Sequence, residues 1–323
     1  MSPSPAPPLP DWMHVIQRDW LSCNQVLFFD GAGEERQATL IDSGYVKHAP
    51  LTVELLRHVL RQRGLPADAL RTLINTHLHS DHCGGNAALA RAFGCRIVIP
   101  AAELDAVTRW DEDALTYRPT GQHCERFTAQ GVLRDGDELT LGGARWVALA
   151  APGHDPHSLI LHCPEHRLLL SADALWEHGF GVIFPELGGD SGFAEQRDVL
   201  RLIEGLEVDR VVPGHGRPFG DVAAALARAH ARLDALYADP TRNARNAIKA
   251  LLKFLLLDLE SIEFGRLVEN LRDATILHNA ATLLGMTLRE ALAWGADDLV
   301  RQGQLRRAGD TLYNHEPGLA KSH

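Results

Sequence analysis

The chain has 323 residues, 45% of them hydrophobic and 23% charged, with a formal net charge of −10. That length supplies one large domain and an appendage, and the acidic balance argues against a general polyanion binder while leaving room for a local basic patch. Five scattered cysteines (Cys23, Cys83, Cys95, Cys124, Cys163) show no CxxC spacing, which excludes a disulfide framework and favours a reducing cytoplasm. No apolar run approaches the roughly 20 residues of a membrane span; the best stretch, ALLKFLLLDL, contains Lys253 and Asp258.

The N-terminal MSPSPAPPLPDW lacks the basic and apolar regions of a signal peptide, and residues 1–19 are expected as an arm. NQVLFFD (24–30) and QATLIDSG (37–44) flank the polar turn GAGEER and predict a hairpin. LTVELLRHVLRQRG (51–64) predicts a helix that stops at Gly64. LRTLINTH (70–77) then predicts a strand, GGNAALARAFG (84–94) a helix, CRIVIP (95–100) a strand and AAELDAVTRW (101–110) a helix. Residues 111–130 show little periodicity, and a loop of that length inside a domain is often functional. ELTL (138–141), ARWVALAAPGH (144–154), HSLILHC (157–163) and RLLLSADAL (167–175) alternate with turns as successive strands. AEQRDVLRLIEGL (194–206) predicts an amphipathic helix and VDRVVPGHGRPF (208–219) a strand ending in a loop. Two runs of strands with interspersed helices predict sheet packed on sheet, helices outside, over residues 20–238.

The composition changes at about Asp239, and residues 239–323 are expected as a small helical domain. ADPTRNARN reads as a linker or helix junction. Helices follow in AIKALLKFLLLDL, FGRLVENL, ATILHNAATLLG and TLREALAWGADDLVRQG, and two short strands in GQLRRAGDTLYNHE. Helices followed by such a hairpin form a winged-helix-like pattern.

The stretch THLHSDHCGG (76–85) places His77, His79, Asp81 and His82 within six positions. His77 and His79 alternate on an extended segment, so their rings can point the same way, and Asp81 and His82 lie beyond the turn. Imidazole with carboxylate is a donor set for Zn²⁺ and also for Fe or Mn. Gly84 and Gly85 let the backbone turn without a Cβ clash, and Cys83 should point away from the histidines. APGHDPHS and VVPGHGRP place His154 and His215 after strands, and LLLSADAL places Asp173 at a strand end, where an uncompensated buried carboxylate is costly.

The motifs LIDSG, THLHSDHCGGN, APGHDPHS, SADAL and VPGHGRP together resemble the metallo-β-lactamase fold superfamily over roughly residues 20–238. The resemblance implies an α/β protein, a four-layer αβ/βα sandwich, with a binuclear metal site at one edge of the two sheets. By motif, His77, His79 and His154 would hold one metal, Asp81, His82 and His215 a second, and Asp173 would bridge both. Asp42 of LIDSG would support the site from behind. Two divalent ions are implied, zinc first and iron or manganese on the same donors. Zinc β-lactamases generally carry Cys or Ser at the place of Asp173, which turns the expectation towards glyoxalase II-like, lactonase-like or ribonuclease-like relatives. His157 stands where a glycine is usual, and it either enters the pocket or sits at its rim; Trp176, His178 and Phe180 either line the pocket or pack.

The expected chemistry is hydrolysis of a small-molecule ester, thioester or lactone by a metal-bound hydroxide, with Asp81 orienting the nucleophile or moving its proton. The other ring nitrogen of each ligand histidine should meet a carboxylate or carbonyl. The runner-up is a phosphodiesterase or ribonuclease on single-stranded RNA. Residues 241–323 hold 11 Lys/Arg against 10 Asp/Glu, with Arg306 and Arg307 in the hairpin, as a weak phosphate-tracking surface. β-Lactam hydrolysis, iron-dependent sulfur or oxygen redox chemistry and a winged-helix DNA regulator rank lower. No membrane partner is expected, and a homodimer is the default assembly.

Overall fold

The computed structural model describes residues 8–19, 21–32 and 35–315; the first seven residues of the expected arm and the last eight of the chain lie outside the described residues. A first sheet holds six strands in sequence order, β1 (Met13–Ile16), β2 (Gln25–Asp30), β3 (Gln37–Ile41), β4 (Leu70–Ile74), β5 (Arg96–Pro100) and β6 (Gly131–Leu133). The expected hairpin is present as the antiparallel β2–β3 pair, and β3 to β6 run parallel. A second sheet holds β7 (Glu138–Leu141), β8 (Ala144–Ala150), β9 (Leu159–Cys163), β10 (Leu168–Ala172) and β11 (Arg210–Pro213) in the order β11-β10-β9-β8-β7.

Strand alternation sorts side chains into three cores. In β2, Leu27 and Phe29 face a core capped by helices α1 (Ala49–Gln62), α2 (Ser80–Cys83) and α3 (Asn86–Phe93), whereas Val26 and Phe28 face the other sheet. From that other sheet Leu159, Leu161, Leu168 and Leu170 point inward to meet them around the buried Trp146. Ile160 and Leu169 point outward. After α4 (Leu104–Arg109), α5 (Tyr117–Thr120) and α6 (Pro185–Gly188), helices α7 (Phe193–Glu204) and α8 (Val222–Ala238) cover that outer face. The result is the αβ/βα order of layers.

The remaining chain builds a fourth core from α9 (Thr241–Leu259), α10 (Phe264–Asn270), α11 (Thr275–Leu283) and α12 (Leu288–Arg301), with a small sheet β12-β14-β13 made of β12 (Ser261–Glu263), β13 (Leu305–Ala308) and β14 (Thr311–Asn314). No helix among the described residues is long and apolar enough to cross a membrane.

Three differences from the expectations stand out. Residues 13–16 of the expected arm are strand β1, paired antiparallel to β2, because Met13 and Val15 have the inter-sheet core to enter. ADPTRNARN is the helix junction and not a linker: only Asp239 and Pro240 separate α8 from α9, and TRNARN is already the first part of α9, its polar residues largely outside the buried face, which Asn243 and Ala244 join. Residues 111–130 contain the short helix α5, which packs against α11.

Candidate metal centre

The predicted site residues lie beyond the ends of strands at one edge of the two sheets, with Asp81 and His82 in the short helix α2 that follows β4. β4 leads to His77, β8 to His154, β10 to Asp173 and β11 to His215. Asp42 sits just past β3 at φ 59°, a left-handed conformation that Asp adopts more readily than most side chains. There its carboxylate accepts the Thr76 N–H at 2.9 Å, the Thr76 hydroxyl at 2.8 Å and the His82 Nδ1–H at 2.8 Å. One buried carboxylate therefore fixes both ends of the histidine-rich loop. Ser43 and Asn75 add to this by donating to the His82 carbonyl. A Cβ on Gly85 would lie 2.4 Å from the Ser43 carbonyl oxygen, which explains the glycine in that motif.

The seven residues form two clusters. Donor atoms of His77, His79 and His154 lie within 4.8 Å of one another, and so do those of Asp81, His82, Asp173 and His215. Asp173 faces both, with Oδ2 3.4 Å from His154 Nε2 and Oδ1 3.5 Å from His82 Nε2. Asp81 Oδ2 lies 3.0 Å from His215 Nε2.

The outer ring nitrogens are held much as metal-ligating histidines require. His82 donates to Asp42, His154 Nδ1 donates to the Val182 carbonyl at 2.5 Å, and His77 Nδ1 lies 3.1 Å from Thr76 Oγ1. His79 Nε2 lies 3.5 Å from the buried Asp155 carboxylate. What remains on the inner side is telling. His77 Nε2 and His82 Nε2 are buried and have no hydrogen-bond partner, a costly state for a polar atom unless something else binds there. A metal cation fits this N/O donor set. Gly214 matters for the same space, since a Cβ there would lie 2.2 Å from Asp173 Oδ1.

Burial pushes the His79 and His154 rings down to about 4, and drives His77 well below its ordinary value, so all three rings are neutral at neutral pH. Burial opposes charge on His82 too, but Cys23 and the carboxylates of Asp173, Asp42 and Asp81 outweigh it and raise that ring. Burial also pushes up the Asp173 carboxyl, yet His215, His82 and His154 hold it far below the usual carboxylate range.

Several neighbours carried no clear sequence signal. Cys23 lies against His82 and Asp42, but burial pushes its thiol up to about 11, so it packs as a small apolar residue. Gln122, from the loop 111–130, accepts a 2.6 Å hydrogen bond from Ser80 and lines the pocket over the clusters. Val182, Phe184, Leu251 and Phe254 complete that pocket, the last two from α9. Trp176 lines it as well, and its indole N–H donates to Asp173 Oδ1 at 3.2 Å. Phe180 is buried in the core, and the side chains of His178 and His157 lie out in solvent. Cys83 points away, its thiol near the Leu78 carbonyl and Tyr117 hydroxyl.

The profile of the metallo-beta-lactamase superfamily matches residues 18–215. The chain belongs to this superfamily. Its relatives within the metallo-beta-lactamase superfamily include a hydroxyacylglutathione hydrolase of Hyphomonas neptunium, 31% identical over 110 residues, 34% of this chain and 36% of that protein. Thus only about a third of that relative's length is spanned. The human acyl-coenzyme A thioesterase MBLAC2 is 27% identical over 226 residues, 64% of this chain and 78% of that protein. In fold, a beta-lactamase domain protein from Burkholderia ambifaria superposes with a TM-score of 0.59 at 20% identity, covering 97% of each chain. A metallo-beta-lactamase family protein from Thermus thermophilus gives 0.55 at 20% identity, over 94% of this chain and 99% of that one. Both proteins therefore share the fold with nearly the whole of this chain.

Proposed function

We propose that this protein is a metal-dependent hydrolase of small-molecule thioesters. The observation that carries the reading is the pair of clusters faced by Asp173, with two buried imidazole nitrogens aimed into them and without a hydrogen-bond partner. Hydrolases of two different thioesters among the relatives support the choice of bond.

His77, His79 and His154 would hold one divalent ion, Asp81, His82 and His215 the other, with Asp173 shared; zinc suits the donors best, and iron or manganese fit them too. Metals bound there acidify water and polarise a carbonyl oxygen. The chain's own part is placement. Asp81, aligned by His215, sits where it can orient an attacking water and take its proton. The Trp176 indole keeps the Asp173 carboxylate turned towards both clusters. Val182, Phe184, Leu251 and Phe254 exclude bulk water from the acyl carbon, which strengthens every charge interaction inside.

The test combines elemental analysis with release of free thiol from a panel of acyl thioesters. The expected result is about two metal equivalents per chain and thiol release that Asp173→Ala abolishes together with one metal. Full occupancy with no thiol released from any member of the panel would overturn the reading.

A further inference from the structure

A second cavity of about 600 Å³, a size usual for small-molecule sites, adjoins the metal pocket, whose own volume is about 50 Å³. The two share Trp176, Val182 and Ala250 as common walls. The larger cleft runs between α8 on one side and α9 and α12 on the other, and its charged lining is Arg232, Lys249 and Lys253 against Asp19 alone.

Those cations differ in how they are occupied. Lys249 has a carboxylate, Asp298 at 3.2 Å. Lys253 donates to the Gln304 and His315 carbonyls and to Asn314 Oδ1, tying the ends of β13 and β14 to α9. Arg232 is different. It donates to the Phe180 carbonyl at 2.8 Å, and its guanidinium lies 4.7 Å over the Phe180 ring. Burial holds its ionisation below the ordinary guanidinium range, and among the described residues no carboxylate forms an ion pair with it. A largely desolvated guanidinium without a counter-charge is costly in a free protein and is well suited to an arriving anion.

We propose that this cleft seats the thiol carrier of the substrate, with an anionic group of that carrier on Arg232. The inference rests on the thioesterase reading and adds the class of thioester. Size decides which half of the substrate goes where: the metal pocket admits only a small acyl head, so the bulkier carrier must lie in the cleft across Trp176. Glutathione carboxylates and coenzyme A phosphates offer the same chemistry to a guanidinium, and the experiment separates them.

Binding of free coenzyme A and of free glutathione to the metal-loaded full chain is measured by calorimetry, for the wild type, Arg232→Gln and Asn246→Asp. Asn246 lines the same cleft from α9 and takes no part in the hydrogen bond and ring contact between Arg232 and Phe180, so its variant adds a repelling charge while leaving both of those residues in place. At least one thiol should bind the wild type, and both variants should bind it about ten- to a hundred-fold more weakly; whichever thiol binds identifies carboxylate or phosphate as the anion. In parallel, Arg232→Gln should raise KM for the acetyl thioester of that carrier at least ten-fold more than for the uncharged S-acetyl-N-acetylcysteamine. Binding that Arg232→Gln weakens, with no thioester cleaved, would keep the subsite and discard the thioesterase reading. Failure of the wild type to bind either thiol, unchanged binding in both variants, or an equal KM rise for the uncharged thioester would overturn the proposal.

Discussion

Asp42 shows how one side chain can organise a site it does not enter. It accepts three hydrogen bonds from two residues of the histidine-rich loop, and because His82 Nδ1 is engaged there, the other ring nitrogen, Nε2, faces inward. Glu103 is a second buried carboxyl, and burial together with Asp155 raises it to about 8. Its proton is kept in the fold and lost from the unfolded chain above the ordinary value of 4.5, so the unfolded state binds fewer protons between those limits. Stability contributed at this position is therefore intact below about pH 4.5 and falls as pH rises towards 8. Glu103→Gln should leave stability near the wild-type value at pH 4.5 and exceed it increasingly up to pH 8, by at most about 5 kcal/mol. Denaturant melts across that range provide the check; equal curves at every pH would show that Glu103 ionises freely. Neither Glu103 nor Asp155 could be singled out from the sequence, since each is one acid among 42. The seven ligand candidates were legible because six stand in short spacings or next to Pro-Gly turns, and Asp173 because an acid ends an apolar strand. Partners such as Gln122 and Trp176 depend on loop paths that no local periodicity encodes.

At the scale of elements, strands with alternating or continuous apolar residues and helices with a clear stripe were readable, down to the Gly64 stop of α1. Three short strands escaped. β6 and β12 have three residues each, too few for a period, and β1 is hidden behind proline-rich sequence. α8 also carried no predicted element, because its alanines blur the contrast between the buried and exposed faces. α9 was readable as an apolar helix, but not where its faces point. It turns Leu251 and Phe254 onto the metal pocket, and Phe254 stands edge-on to Tyr45 at 5.1 Å. Phe254→Ala should lower stability by about 3–5 kcal/mol and shift acyl-chain preference towards longer chains. Unfolding curves and a chain-length series of thioesters test both; an unchanged preference would show that this ring does not limit the acyl site.

For the molecule as a whole, folding brings four carboxylate or imidazole groups and three further imidazoles together in a buried space. Metals that bind this arrangement and not the unfolded chain add stability by mass action, about 2.7 kcal/mol for each ion present at a hundred times its dissociation constant. Chelation should therefore lower the melting temperature, and restoring zinc should raise it in proportion to the logarithm of free metal. A melting temperature indifferent to both would mean that the clusters hold no ion in solution. The order of layers and a site at one sheet edge were implied by the family resemblance that the motifs carry; the closeness of α9 to that edge was not, because it depends on tertiary packing between residues far apart in sequence.

That closeness has a consequence for biosynthesis. Translation produces all seven ligand candidates, the last being His215, before it reaches Ala250, Leu251 and Phe254. Domains generally fold as units, N-terminal ones first during synthesis. A growing chain on the ribosome thus passes through a stage in which the candidate ligand set has been made and the wall contributed by α9 has not.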